Sequence, residues 1–181
     1  AANLKNYPSF ISLNKSKITK ILKQNPLIKD VKIKKNFKFQ ITINVTEEKV
    51  VAYNLTNQSY LLSNGTYIND KNFLGVPQLN NYTPEDVLKN FAEELGTLDK
   101  DIIADISEIE YTPSKNETGE TIDSTRFKLK MKDGNTVYTN VKKCNVLSYY
   151  NQIYASLKDK KGVLNLDSGN YERYVLTLYE E

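Results

Sequence analysis

The ionisable side chains of this chain offer few combinations that could catalyse a reaction. Two suitably spaced carboxylates are sufficient for glycoside hydrolysis, and three close pairs are available, Glu47-Glu48, Glu93-Glu94 and Glu108/Glu110. Adjacent residues on a strand or helix point in different directions, and no pair lies in a segment whose apolar pattern predicts a cleft. The sequence therefore favours solvated surface acids over a catalytic pair.

A nucleophile with a matching base is also missing from the sequence. The chain has no histidine and a single cysteine, Cys144, so it lacks the commonest general base and the usual metal ligand. Cys144 precedes a predicted helix whose dipole could lower a thiol pKa, but without a histidine partner we interpret it as a buried bystander. There is no glycine-rich phosphate loop and no metal-spaced acid cluster. We predict a protein that is not an enzyme, with no catalytic, cofactor-binding or metal-binding residues.

Composition limits the range of partners. The chain has 181 residues, 39% of them hydrophobic, and a net charge of +3, which gives no strong attraction to nucleic acid or to an anionic membrane. Lysines at positions 29, 32, 34, 35 and 38 are interleaved with Phe37 and Phe39, and this pattern resembles a weak nucleic-acid-binding strip. Outward lysines also keep an edge strand soluble, and we prefer that interpretation. No apolar run reaches the 18 residues that a membrane-spanning helix needs. The opening Ala1-Ala2-Asn3 is expected to result from a cut inside a longer chain rather than from a natural start.

The first third of the chain predicts one helix and three extended segments. A stripe of isoleucine and leucine predicts a helix over Ser12–Gln24, capped by Asn14. Period-two alternation predicts strands at Val31–Lys35 and Gln40–Thr46, and a third extended run follows at Val50–Leu55. The polar segment after it predicts a domain boundary at 53/54.

The rest of the chain predicts two hairpins and two helices. Asn64-Gly65 and Asp133-Gly134 separate apolar runs, which is the strongest short-range hairpin signal. One helix is predicted to be capped by Thr83 and to end at Gly96, and a second to be closed by Gly162. Further predictions are an edge-like segment at 76–79, a strand over 106–111, a mobile loop over 114–125, a buried face with Tyr150 and Tyr154 on the second helix, and a last short strand over 163–167.

The order of these segments resembles the extracytoplasmic part of the DivIB/FtsQ family of bacterial cell-division proteins. The matching segments are 25–35, 41–47 with 51–53, the two hairpins, Val76-Pro77-Gln78-Leu79, the long helix, and Gly162 to Gly169. They extend over nearly the whole chain, and their order and spacing are more specific than any one of them. The connection at 38–40 lacks the proline that family members often have, and no opening strand is evident before Ser12.

The resemblance implies an α+β fold with two domains. Residues 1–53 are expected to form a small POTRA-like α/β domain, truncated at its start, in which helices pack on a three-stranded sheet. Residues 54–181 are expected to form a β domain with a mixed sheet and helices. The parent protein is expected to have one transmembrane helix before this extracellular region, to be located in the cell membrane at the division septum, and to bind DivIC/FtsB- and FtsL-type partners. Its lysine- and asparagine-rich composition is similar to that of Gram-positive members.

The resemblance also implies a binding site at the C-terminal strand. Carried over to this chain, the partner-binding residues are Val163, Leu164, Asn165, Leu166 and Asp167, flanked by Gly169, Tyr171 and Tyr174. A final short strand is expected at a sheet edge, where unpaired backbone groups can accept a new strand. Tyr171 and Tyr174 lie on no periodic face, which fits a protein contact and equally fits packing on the domain's own sheet. The alternative function is a module that binds peptidoglycan or another cell-wall polymer, with tyrosines stacking on sugars.

Overall fold

The chain folds into two units of the α+β class, as predicted. The computed structural model describes residues 13–69, 73–156, 160–167 and 175–179. The units are Ala1–Lys49 and Val50–Glu181. The division therefore lies between Lys49 and Val50 instead of at 53/54, because Val50–Asn54 pairs with strands of the second unit.

Among the residues described in the first unit, one helix packs on a two-stranded sheet. Its elements are α1 (Lys15–Leu22), β1 (Ile28–Lys35) and β2 (Ile41–Glu47). The side chain of Asn14 accepts a hydrogen bond from the Lys17 amide at 3.1 Å, which confirms the predicted N-cap. The strands are antiparallel, with Val31 opposite Val45. Ile18 and Val31 are buried, so the alternation in the sequence gives this small unit its apolar face.

The second unit is built on a nine-stranded mixed sheet among the residues that the structure describes. Its strands are β3 (Val50–Asn54), β4 (Ser59–Leu62), β5 (Tyr67–Ile68), β6 (Gln78–Leu79), β7 (Ile106–Tyr111), β10 (Arg126–Met131), β11 (Thr136–Asn140), β12 (Gly162–Asn165) and β13 (Val175–Leu178). They lie in the order β13-β12-β11-β10-β7-β6-β3-β4-β5. A separate hairpin pairs β8 (Ser114–Lys115) with β9 (Thr121–Asp123).

Helical segments complete the core of the second unit. They are α2 (Glu85–Thr97), α3 (Lys100–Asp105), a 3₁₀ helix (Val141–Tyr149) and α4 (Tyr150–Ser156). The rings of Phe91 on α2 and Phe127 on β10 stack with centroids 3.7 Å apart, and both residues are buried. Tyr150 is buried and Tyr154 is partly buried against the core, as their helical spacing predicts.

Both hairpins form, with different turns from those expected. A two-residue type I′ turn needs positive φ at both central residues, but only the glycine of each dipeptide has one, +82° at Gly65 and +95° at Gly134. The amide of Leu62 donates to the carbonyl of Thr66 at 2.8 Å, which closes a loop longer than the two-residue type I′ turn. The dipeptide therefore marks the hairpin correctly but not its loop length.

Several local predictions differ from the structure. The segment predicted as edge-like contains β6, which lies inside the sheet between β3 and β7. The predicted mobile loop over 114–125 contains the β8–β9 hairpin. Thr83 does not cap α2, whose N-cap position is Pro84. The helix α2 ends at Thr97, one residue beyond the predicted end at Gly96, and Gly96 faces the side chain of Ser63.

Candidate partner-binding edge

The predicted binding strand, β12, lies one position inside the sheet. It pairs in parallel with β11, with Val137 opposite Leu164, and antiparallel with β13, with Val163 opposite Thr177. The prediction that the segment 163–167 is the final strand, at an open edge, is therefore wrong. The edge position next to β12 is occupied by β13, a strand that the sequence pattern did not predict.

The side chains of β12 divide between the core and the surface. Leu164 and Leu166 belong to the buried core, whereas Val163 and Asn165 are half-buried. Because the two leucines pack inward, they hold β12 in place but leave only their backbone for a partner. Direct side-chain contact from this strand would come from Val163 and Asn165. Gly169, Tyr171 and Tyr174 lie outside the described residues.

Backbone hydrogen bonds show which amides of β12 face β13. The amide of Leu166 donates to the Tyr138 carbonyl on β11 at 2.8 Å, and that of Gly162 donates to Asn135 Oδ1 at 2.9 Å. Amides alternate in direction along a strand, so those of Val163 and Asn165 point toward β13. On this side, β12 therefore presents a row of backbone donors and acceptors, and a neighbouring strand can pair with them.

A glycine sets the distance between β12 and β13. A Cβ placed on Gly162 would lie 2.1 Å from the Thr177 carbonyl oxygen and 2.9 Å from the Cα of Leu178. Gly162 therefore begins β12 and provides close backbone approach, where the sequence predicted that it closes the preceding helix. The amide of Tyr179 donates to the Lys161 carbonyl at 3.1 Å, and its hydroxyl donates to Thr136 Oγ1 at 2.7 Å.

An ion pair between Arg126 and Asp167 lies at the C-terminal end of the predicted binding segment. The guanidinium Nε of Arg126 donates to Asp167 Oδ2, and the guanidinium carbon lies 3.8 Å from the centre of the Tyr138 ring. Both charged side chains are largely buried, at 19% and 11% exposure. The other carboxylate oxygen of Asp167 is buried and has no hydrogen-bond partner among the described residues. Sequence patterns missed Arg126, because its pairing with Asp167 depends on strand order.

The carboxylate pair on β7 takes part in cross-strand ion pairs. Glu108 Oε2 lies 2.8 Å from Lys130 Nζ, and Glu110 Oε2 lies 3.6 Å from Lys128 Nζ. The hydrogen bond from Lys130 lowers the pKa of Glu108, more than burial raises it. A carboxylate held ionised by a neighbouring lysine is poorly suited to act as a general acid. The surface interpretation of this pair agrees with the geometry.

The one cysteine is inert in this setting. Cys144 is buried, and burial raises the pKa of its thiol, with a smaller contribution from Glu94. The predicted buried bystander is therefore confirmed, and the lowering of its pKa by a helix dipole is not realised. Within the described ranges, no group of three or more histidine, cysteine, aspartate or glutamate side chains is placed to hold a metal ion. None of the helices described there is both long and apolar enough to cross a membrane.

Comparison with known proteins agrees with the fold and with the order of the motifs. Residues 1–48 match the family model of the FtsQ-type POTRA domain. The chain is 31% identical over 169 residues to the cell division protein DivIB of Listeria monocytogenes, and 32% identical over 169 residues to that of Bacillus subtilis. These alignments cover 89% and 90% of this chain but 60% and 62% of the relatives. The chain thus spans about three fifths of the length of these relatives.

A solved structure is also similar to the chain. It is the major extracytoplasmic domain of the trans isomer of the cell division protein DivIB from Geobacillus stearothermophilus, with a TM-score of 0.48 and 24% identity. The match covers 62% of this chain and 96% of that one.

The fold is of the α+β class, and residues 1–48 are similar to the FtsQ-type POTRA domain. The DivIB relatives are similar to about nine tenths of the chain. The resemblance to the extracytoplasmic region of the DivIB/FtsQ family of bacterial cell-division proteins, predicted from the order of the motifs, is confirmed.

Proposed function

We propose that this chain is the extracellular part of a single-pass membrane protein of the division septum. It acts as a non-enzymatic scaffold that binds DivIC/FtsB- and FtsL-type partners in the divisome. Support comes from its similarity to cell division proteins over about nine tenths of its length. The ion-paired state of Glu108 and the burial of Cys144 also fit a scaffold. The domain assignment for this function is a POTRA-like domain followed by a β domain that carries the partner site.

The partner binds by strand addition to β12, at the residues 163–167, with Gly169, Tyr171 and Tyr174 flanking. The observation that supports this most is that the strand paired with β12 on its outer side has four residues in the described part of the chain. We propose that the partner strand takes the place of β13, because the donors of Val163 and Asn165 face that position. Main-chain hydrogen bonds then provide affinity, and the half-buried side chains of β12 provide specificity.

Two matched proline variants test this site. Asn165→Pro removes an amide that β12 directs at the strand beside it, and Thr177→Pro removes one that β13 directs at β12. If the partner replaces β13, Asn165→Pro weakens binding of the extracellular part of a DivIC-type partner, while Thr177→Pro strengthens it. One hydrogen bond contributes about 1 kcal/mol, roughly a fivefold change in Kd. Isothermal titration calorimetry measures both.

The two variants have distinguishable outcomes. Weaker binding for both indicates that the partner adds to the outer edge of β13 instead of replacing it. Unchanged Kd for both, in variants whose circular dichroism matches the wild type, contradicts strand addition altogether. Absence of binding by the wild-type chain contradicts the scaffold proposal for these partners.

A cavity in the second unit favours cell-wall polymer binding as a second candidate function. It has a volume of about 470 Å³ and is lined by the tyrosines at positions 67 and 82 together with Asn54, Thr83 and Lys89. The Thr83 hydroxyl is buried and has no hydrogen-bond partner among the described residues. Aromatic rings beside polar side chains are a suitable surface for a sugar.

Soluble peptidoglycan fragments provide the corresponding test. Saturable binding that survives raised salt, and that Tyr82→Ala abolishes, supports this function, since screened charge attraction alone does not survive salt. Tyr149→Ala is the matched control, because Tyr149 is exposed but does not line the cavity. Binding that is equally affected by both variants contradicts a site in this cavity.

A further inference from the structure

The loop that joins β1 and β2 is held in one shape by its own polar groups. Asn36 Oδ1 accepts hydrogen bonds from the amides of Lys38 and Gln40, at 2.9 and 3.0 Å. Asn36 Nδ2 donates to Gln40 Oε1 at 2.8 Å, and the Asn36 amide donates to the Gln40 carbonyl at 3.1 Å. A single asparagine therefore organises the turn, so the side chains between its ends project from a defined surface.

Two phenylalanines occupy the exposed positions of this turn. Phe37 has 104% of its reference exposure and Phe39 has 75%. Phe39 also has a φ of +56°, a left-handed conformation that glycine or asparagine adopts more readily than a bulky residue. Neither exposure to water nor this conformation favours phenylalanine. Strain of this kind at a defined position is a physical reason to look for a function.

Positive charge is concentrated in the same unit. The first unit has eleven lysines against three acids, a net charge of +8, whereas the second has fourteen basic and nineteen acidic residues, a net charge of −5. The overall charge of +3 conceals this difference. The three acids are Asp30, Glu47 and Glu48, and the pairing of Ile28 with Glu47 puts them at the end of the sheet opposite the turn.

The turn end of the sheet is therefore both apolar and cationic. No acidic residue occurs between Val31 and Thr46. Lys32, Lys34 and Lys38 are exposed there. Exposed aromatic rings flanked by lysines are the combination that binds the interface of an anionic bilayer, since the rings enter the headgroup boundary while the ammonium groups remain at the phosphates.

We propose that the β1–β2 turn, residues 36–40, is a membrane-contact site that inserts Phe37 and Phe39 into the headgroup region of an anionic lipid bilayer. The occupant is a lipid surface because the rings project from a convex turn, where an apolar layer can surround them. Single-stranded nucleic acid, by contrast, is bound in a groove that follows its backbone. The proposal depends only on the first unit, and is independent of partner binding at β12.

A single tryptophan reports insertion directly. The chain contains no tryptophan, so Phe37→Trp in the full 181-residue chain places one fluorophore at the turn. Leu74→Trp is the matched control, because Leu74 is 96% exposed and belongs to the second unit. With vesicles of phosphatidylcholine and phosphatidylglycerol, we expect a blue shift and quenching by brominated lipid for Phe37→Trp alone. Vesicles of phosphatidylcholine alone produce a much smaller effect.

Removal of the rings separates insertion from simple charge attraction. The double variant Phe37→Ser, Phe39→Asn keeps every lysine, and asparagine suits the left-handed conformation at position 39. We expect its vesicle binding, measured by co-sedimentation, to fall about tenfold or more, with an unchanged circular dichroism spectrum. Leu74→Ser leaves binding unchanged.

Several results would overturn the proposal. The first is the absence of a blue shift for Phe37→Trp, and the second is an equal blue shift for Leu74→Trp. The third is vesicle binding by the double variant that is as strong as that of the wild type. A mixed-sequence single-stranded oligonucleotide is the competing probe. Tighter binding of that oligonucleotide than of anionic vesicles, with loss in the double variant, assigns the turn to nucleic acid instead and overturns the lipid assignment.

Discussion

Gly162 and Thr177 approach so closely that a Cβ on the glycine would lie 2.1 Å from the threonine carbonyl oxygen. The contact joins β12 to β13 backbone to backbone, so β13 can occupy its position only because residue 162 has no side chain. A single hydrogen-to-methyl change on β12 therefore acts on the strand beside it. This makes the edge of the sheet testable with one small substitution.

Gly162→Ala is expected to detach β13 while the core of the second unit stays folded. The three atoms nearest to the added methyl all belong to Thr177 and Leu178, so the clash is relieved when β13 moves away. Hydrogen–deuterium exchange should show faster exchange at the amides of Val163 and Asn165, with the amide of Leu166 still protected by β11. Val163→Ala is the control, because it adds no atom toward β13. Unchanged exchange in Gly162→Ala contradicts the close approach.

Gly96→Ala is expected to destabilise the protein, against the usual helix preference. Alanine inside a helix is normally favoured over glycine by about 1 kcal/mol, but a Cβ on Gly96 would lie 2.4 Å from the Cβ of Ser63. Overpacking of this kind destabilises by about 1–3 kcal/mol. Urea unfolding measures the change. Ser63→Gly in the same chain should restore much of the loss, and absence of any rescue contradicts a direct clash.

The carboxyl of Asp123 is expected to make the free energy of unfolding depend on pH in the acid range. Burial acts to raise the pKa of its carboxyl, but hydrogen bonds from the Thr125 amide, from Asn140 Nδ2 and from the Thr125 hydroxyl offset burial, and the pKa is lowered overall. A lowered folded-state pKa contributes stability that is present above the unfolded pKa and is lost as pH falls through the folded pKa. Asp123→Asn should lower the free energy of unfolding by about 1 kcal/mol at neutral pH.

The pH dependence of that variant provides its check. The difference in unfolding free energy between wild type and Asp123→Asn should shrink as pH falls from 7 to 3, because the carboxyl of the unfolded chain takes up a proton before that of the folded chain does. Glu117→Gln is the control at an exposed loop position. A difference that stays constant across this range shows that the charge of Asp123 does not contribute.

Cys144 is expected to react with thiol reagents only after unfolding. Burial raises the pKa of its thiol, so the reactive thiolate is scarce in the folded chain. Because the folded state keeps a proton that the unfolded state loses near pH 9, stability falls as pH rises above that value. Labelling with a chromogenic disulfide in native buffer and in denaturant measures this. Rapid labelling of the native chain contradicts a buried, inert thiol.

Local predictions agreed with the structure where neighbouring residues decide the outcome. Asn14 caps α1, alternation identified β1 and β2, and two Asn/Asp-Gly dipeptides identified the hairpins. Thr83 and Gly96 have residue types suited to helix ends, yet neither has that role. Proline took the N-cap position, and the glycine was required by Ser63, which is distant in sequence.

The candidate site was only partly predictable, because strand order is a non-local property. The pattern of Val163–Asp167 indicates a strand, but not which strands lie beside it. The run Val175–Leu178 is too short to show periodicity, so β13 was missed, and with it the closed edge. The pairing of Arg126 with Asp167 was missed for the same reason.

Short-range spacing and the order of motifs were enough to predict α1, α2, the two hairpins and the family resemblance, whereas α3 was not predicted. Long-range packing places β6 and β12 inside the sheet, pairs Glu108 with a lysine, and sets Gly162 against the backbone of β13. The physical reason is that hydrogen bonds between strands join residues far apart in the chain. Which edge remains accessible is therefore settled only when the whole sheet has assembled.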